Sequence, residues 1–351
     1  MEQTPLQPSK SIARTMAAFG VSHSSSTRCG KISRMAMTKN LSNLPIEEKE
    51  RFLDSFDIVQ TDCDGVLWLL GNPFDGVERA VRALRTNGKR VIFVSNNSVR
   101  PMEDYRAKLD KLTDHTVDDD DIIHPAKIVI QYLREIKFDA LCYVIGSTNF
   151  KNYLKEAGFQ VLDGPNEPVQ ESARAVMASI SDGQAVKAVI VDFDYNMNNV
   201  KLLRAQLYLQ HDALFIAGAM DTVLPLGPRM RLIGPGCYVE VLQNIADRKP
   251  IVLGKPGLQM SKMLKRMYSI EDPRRVLFVG DQPEMDVKFG HISNYQTLLV
   301  GTGGVKEEQL KKFSDKPDIT PDYYIESFAA LEQIVREVVV YKARNGDKSG
   351  P

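Results

Sequence analysis

Asp62 and Asp64 stand one residue apart in the stretch DIVQTDCDGVLW, residues 57–68, with Gly65 directly behind them. An apolar run ending in acids and a glycine predicts a buried parallel strand that delivers carboxylates to its C-terminal end. That edge is where open α/β sheets bind ligands. Two carboxylates so placed repel each other unless a cation or a shared proton intervenes. The pair therefore predicts bound Mg2+ and transfer of a phosphoryl group to Asp62.

Three further apolar runs end in complementary chemistry. Residues 91–94 lead into Ser95 and Asn96, residues 250–253 into Gly254, Lys255 and Pro256, and residues 275–279 into Gly280 and Asp281, with Asp286 five positions on. A single parallel sheet would gather all of these along one edge. A carboxylate that attacks phosphorus forms an aspartyl-phosphate and divides one difficult displacement into two easier ones. Phosphoryl transfer then needs positioning and neutralisation of the oxygens. Lys255 and the Ser95 hydroxyl suit that task, as does Mg2+ held by one or two carboxylates. Asp64 would protonate the leaving oxygen and later activate water.

The elements that must position these residues follow from periodicity. A helical lead-in over residues 45–55 precedes the first strand, and residues 76–87 carry Val77, Ala80, Val81 and Leu84 at helical spacing, with Gly88 as C-cap. Strand, helix and strand in this order are the βαβ signature of a parallel sheet. Helices are expected over 101–112 and 125–136. A second alternation begins with a strand at 140–145, a helix at 149–157 and a short strand at Val161. It continues with strands at 188–191 and 214–217 around a helix at 199–209. The first pattern returns at 250–253, with a helix at 258–268, strands at 275–279 and 296–300, and a closing helix at 327–341. The fold class is thus α/β, a Rossmann-like parallel-sheet core over residues 45–138 and 249–340 with an inserted α/β domain over 139–248. Residues 1–44 read as a tail and 341–351 as a second, polar one.

Composition narrows the function classes. The chain has 351 residues, 43% hydrophobic and 26% charged, an ordinary globular balance. Forty-five Lys and Arg against 45 Asp and Glu argue against a nucleic-acid binder. No apolar run reaches the ~18 residues that span a bilayer, so no membrane partner is expected. Cys29, Cys63, Cys142 and Cys237 lie far apart without a CxxC pair, which predicts neither a zinc site nor a disulfide framework and favours a cytoplasmic setting. The first 40 residues are basic and Ser-rich with Glu2 as their one acid, a disordered tail or alternatively a mitochondrial presequence.

Other site classes fit poorly. A calcium loop would need glycine at its sixth position and Glu at its twelfth, where this chain has glycine at the fourth and Pro73. Lys255 lacks the upstream glycine and the following hydroxyl of a P-loop. Gly301, Gly303 and Gly304 do not form GxGxxG and read as a turn. Asp192 and Asp194 read as loop acids, with shaping of a pocket in the inserted domain as the alternative, and the five histidines as structural or exposed.

DCDGVLW, VSNNS, VLGKP and GD with a second Asp five residues on, in this order, resemble the haloacid dehalogenase superfamily of phosphatases. The closer similarity, over residues 45–340, is to the group of 4-nitrophenylphosphatase, phosphoglycolate phosphatase and pyridoxal phosphatase (chronophin). The resemblance implies Asp62 as nucleophile, Asp64 as acid and base, Ser95 and Asn96 on the phosphoryl oxygens, and Lys255 as the positive charge. It also implies metal ligation by Asp62, Asp281 and the backbone carbonyl of Asp64, with Asp286 supporting. The inserted domain becomes a cap over the site, and a homodimer formed through the cap is expected. The chain departs from the family pattern at Gln282 and Pro283, where Arg-Leu is common, and at Gly218 and Ala219, where FIATN is common. The expected function is a Mg2+-dependent phosphatase of small phosphate monoesters such as phosphoglycolate or pyridoxal phosphate. A pseudoenzyme that binds partners, or a phosphomutase, are the alternatives.

Overall fold

The strand Ile58–Thr61 lies inside a seven-stranded parallel sheet in a computed structural model, which describes residues 38–225 and 230–346. The strand order is Lys39–Asn40, Tyr323–Ile325, Gln296–Val300, Val276–Gly280, Ile58–Thr61, Arg90–Val94 and Ile122–Ile123. Successive side chains of these strands point to opposite faces. Leu277 and Val279 join Val59, Val91 and Phe93 in one cluster, beneath the helices Ile46–Asp54, Val77–Thr86 and Leu331–Gly346. Val276 and Phe278 join Ile92 and Val94 in a cluster on the other face, beneath the helices Pro125–Glu135 and Leu258–Met267.

Residues 141–252 build a second parallel sheet of five strands, in the order Ile251–Val252, Leu214–Ala217, Val186–Val191, Leu141–Ile145 and Val161–Leu162. One face, through Cys142, Val144, Ile190 and Ile216, packs on the same cluster that holds Ile92 and Val94. A layer of helices is therefore shared between the two sheets. The opposite face, through Tyr143, Ile145, Val189 and Val191, is covered by the helices Asn199–Leu209 and Pro235–Ala246.

Three expectations require correction. Residues 250–253 do not return to the first sheet: Ile251 and Val252 pair with Ile216 and Ala217 at the edge of the second. Two apolar residues carry no periodicity that would say which sheet they join. The N-terminal tail is shorter than expected, because Lys39 and Asn40 pair with Tyr323 and Tyr324, and Leu41 is fully buried. The last helix runs on to Gly346, with Lys342 paired to Asp54 at 2.7 Å, so the polar tail begins later than Tyr341. The expectation for residues 1–37 lies outside the described residues. No helix among the described residues is long and apolar enough to cross a membrane.

His124 shows how tightly this frame constrains charge. It precedes the first residue of Pro125–Glu135, is 2% exposed, and stacks on the Tyr105 ring at 6.2 Å. Burial, and then the nearby Lys127 charge, push its imidazole down to about 3. The unfolded chain therefore binds a proton that the fold rejects. Stability should be full above about pH 6.5 and fall toward pH 3, with a slope from this residue of about 1.4 kcal/mol per pH unit. Urea unfolding at several pH values should show a shallower acid-side slope for His124→Gln than for wild type. Parallel slopes would contradict this origin.

Candidate active site

Register brings the predicted acids together. Thr61 lies opposite Val279 on one side and Phe93 on the other, so Asp62, Asp281 and Ser95 leave the same sheet edge on three adjacent strands. The Asp62 amide donates to the Val279 carbonyl at 2.8 Å, which continues the ladder to Asp62 itself. Lys255 arrives differently. It follows the edge strand of the second sheet and reaches into the first sheet's edge from the loop before Leu258–Met267.

Lys255 is 1% exposed, and its Nζ lies 2.8 Å from Asp62 Oδ1 and 2.8 Å from Asp286 Oδ1. The other Asp286 oxygen accepts the backbone N–H groups of Asp281 and Gln282, both at 3.0 Å. Asp286 thus orients both Lys255 and the turn that carries Asp281. One oxygen each from Asp62, Asp281 and Asp286 lie within 4.8 Å of one another. Asp281 is 4% exposed, and its buried Oδ1 has no hydrogen-bond partner among the described residues. Burial, against the opposing pull of Lys255, raises the Asp62 carboxyl to about 7. Burial, then the charges of Asp286 and Asp62, hold Asp281 well above the usual carboxylate range. Burial alone would lower Lys255, but the same two neighbours, Asp286 and Asp62, overcome it and raise the ammonium.

This donor set fits a hard divalent cation. It offers oxygen only, it holds an orphaned buried carboxylate oxygen, and its formal charge is under-compensated by the one ammonium. The space around Asp281 is kept by glycines. A Cβ at Gly65 would sit 2.4 Å from Asp281 Oδ2, and one at Gly303 would sit 2.1 Å from it. Gly303, read from sequence as part of a turn, is a wall of the site.

The remaining predicted residues are present with more specific contacts. Ser95 is 2% exposed, and its Oγ lies 2.9 Å from the Tyr105 hydroxyl and accepts the Asn97 N–H at 3.0 Å. Asn96 lines the cavity, but its side-chain oxygen accepts the Lys255 N–H at 2.8 Å. Its amide nitrogen donates to Asp221 at 2.8 Å and to the Lys255 carbonyl at 3.1 Å. Asn96 therefore pins the Lys255 loop, and its side chain is not free for a phosphoryl oxygen. Asp64 accepts from Trp68 Nε1 at 2.8 Å and pairs with Arg100 at 3.1 Å, and its side chain stays 38% exposed.

Sequence reasoning missed Arg100, Trp68 and Asp221, and held a pocket role for Asp192 only as the alternative. Arg100 had a signal, as the cation closing the loop after SNN; Asp192 had little. Asp192 is buried, lines the cavity beside the cluster, and accepts from the Ser98 hydroxyl, so the second sheet is tied to the SNNS loop. Burial pushes its carboxyl up to about 7. Asp194, by contrast, is a buried structural partner of Lys201 at 2.7 Å. The cavity measures about 440 Å³, and its outer wall is apolar through Leu69, Leu70, Phe193, Tyr195, Leu224 and Leu232.

Asp192 also accounts for the glycine at 218. A Cβ there would lie 2.0 Å from Asp192 Oδ2. Gly218→Ala should destabilise the protein by about 1–3 kcal/mol through overpacking. Adding Asp192→Ala should recover most of that loss, a coupling that urea unfolding of both single variants and the double variant would read. Strict additivity would contradict the clash.

Comparison with known proteins agrees with this geometry. Residues 59–160 match the haloacid dehalogenase-like hydrolase family, and residues 252–331 match the HAD-hydrolase-like family. The chain is 32% identical over 286 residues to phosphoglycolate phosphatase 2 of Arabidopsis thaliana, covering 80% of this chain and 94% of that one. It is 32% identical over 305 residues to 4-nitrophenylphosphatase of Schizosaccharomyces pombe, covering 85% and 99%. The fold is shared with a glycerol phosphate phosphatase from Mycobacterium tuberculosis solved in complex with magnesium. That match has a TM-score of 0.63 and 22% identity, and it covers 81% of this chain and 78% of that one. The chain belongs to the haloacid dehalogenase-like hydrolases and is a phosphatase, a hydrolase of phosphoric monoesters.

Proposed function

We propose that the protein hydrolyses small phosphate monoesters in a Mg2+-dependent reaction that passes through an aspartyl-phosphate on Asp62. The observation that carries this reading is the buried cluster of Asp62, Asp281 and Asp286 around a single ammonium, Lys255. Asp62, Asp281 and, in support, Asp286 would hold the cation, with the Asp64 backbone carbonyl completing the set. The cation would supply neutralisation of the attacking carboxylate and of the phosphoryl oxygens.

The chain's own residues do the rest. Asp62 attacks phosphorus, and Lys255 steadies its carboxylate and draws in a phosphoryl oxygen. The Ser95 hydroxyl faces the same oxygens from the neighbouring strand. Asp64 gives a proton to the departing oxygen and then takes one from the water that cleaves the aspartyl-phosphate.

The cavity of about 440 Å³ suits a small leaving group. Phosphoglycolate, glycerol phosphate and 4-nitrophenyl phosphate, on which the similar proteins named here act, are the substrates to try first, with pyridoxal phosphate beside them. A homodimer through the cap is part of the same reading, supported by the exposed apolar residues Val241, Ile245 and Ile233.

The test is release of inorganic phosphate from 4-nitrophenyl phosphate with water as sole acceptor. Wild type should turn over only with Mg2+, and Asp62→Asn should lower kcat by at least ~10³-fold. The variant's Tm should stay equal or rise, because it removes a costly buried charge while Asp286 still pairs Lys255. Absence of metal-dependent turnover in wild type would sink the reading in favour of a binding role.

A further inference from the structure

We propose that Arg100 is a positioning residue that holds the Asp64 carboxylate in line for proton transfer. The proposal rests on the reading of Asp64 as the acid and base of the reaction. In that reaction the Asp62 oxygen bonds to phosphorus, the bond to the leaving oxygen breaks, and the Asp64 proton moves to that oxygen. Water then loses a proton to Asp64, its oxygen bonds to phosphorus, and Asp62 is released as a carboxylate.

Asp64 needs such a holder. Its side chain lines the cavity and is 38% exposed, whereas Asp62 and Asp281 are locked by burial. Both fixed donors reach the same oxygen. Asp64 Oδ1 accepts from Trp68 Nε1 at 2.8 Å and from an Arg100 terminal nitrogen at 3.1 Å. Among the described residues Oδ2 accepts one hydrogen bond, from the Asn97 side-chain amide at 3.4 Å, and is the oxygen left for chemistry.

Arg100 is itself fixed. Its guanidinium lies 5.1 Å from the Trp68 ring and 5.0 Å from the Tyr105 ring, against both. The Asn97 side-chain oxygen accepts the Val99 and Arg100 N–H groups at 3.1 and 3.3 Å, which curls the loop so that Arg100 returns over Trp68. Among the described residues Asp64 is the one hydrogen-bond acceptor of this guanidinium, and the other terminal nitrogen is buried without an acceptor. A planar cation held against two aromatic rings is a rigid fork that lysine cannot reproduce. Arg100 thus restrains Asp64 without touching the phosphorus.

The dependence of kcat/KM on leaving-group pKa, across aryl and alkyl phosphates with Mg2+, separates this role from others. It covers the step in which Asp64 donates its proton. An alkyl leaving group needs that proton and 4-nitrophenolate hardly does. Arg100→Met should lower kcat/KM for glycerol phosphate ~10–100-fold, at least ~10-fold more than for 4-nitrophenyl phosphate. Arg100→Lys should show a smaller loss of the same pattern, and it carries the test should Arg100→Met fail to fold. Equal losses on both substrates would overturn the proposal in favour of phosphate binding or a structural role, and so would no loss on either. Asp64→Asn is the companion measurement. Without a leaving-group dependence there, the reading of Asp64 fails; with it there and absent in both Arg100 variants, only the role of Arg100 fails.

Discussion

One ammonium among three carboxylates is the interaction on which the rest of the structure depends. Lys255 touches Asp62 and Asp286 at equal distance, and Asp281 stands beside them with an oxygen that nothing satisfies. Counted as ionised, three negative groups face one positive group and leave a formal charge of −2 in a buried place. Such an excess is expensive unless a cation joins it or protons are retained. The raised carboxyls of Asp62 and Asp281 express that cost in the metal-free chain. The same imbalance that weakens the isolated fold makes the site receptive to a divalent ion and to a phosphate beside it.

The two sheets are coupled through this charge. Lys255 comes directly off the edge strand of the second sheet, and Asn96 of the first sheet grips its backbone from both sides. Asn96 also holds Asp221, and Ser98 holds Asp192, so the SNNS loop is the joint at which the cavity wall from the second sheet meets the C-terminal edge of the first. Placing the positive charge and closing the cavity are one structural event. Residues that sequence pattern assigns to phosphate binding here serve partly as this joint.

Much of the site was legible because its residues end apolar strands, and strand ends in a parallel sheet converge by register. Asp62, Ser95 and Asp281 needed no more than that, since burial on both faces leaves a nearly continuous apolar run. The order of DCDG, SNN, GKP and GD then named the family. What stayed illegible depends on long-range pairing. The strand at Ile251 and Val252 is too short for its sheet to be read, and the helix Pro235–Ala246 was hidden behind its Gly-Pro-Gly start. Asp192 looked like a loop acid because only the fold turns it under Gly218 and toward Ser98. Arg100 is visible as a cation, but its placement against Trp68 and Tyr105 follows from a loop curl that no spacing encodes.

The account stands on the claim that the carboxylate cluster requires a divalent cation and that Asp281 is the residue left open for it. Calorimetric titration of MgCl2 into the purified protein, wild type beside Asp281→Asn, measures this directly and needs no substrate. Saturable binding at one site in wild type, weakened at least ~10-fold in the variant, is the predicted result. Undiminished binding in Asp281→Asn, or none in wild type, would contradict it.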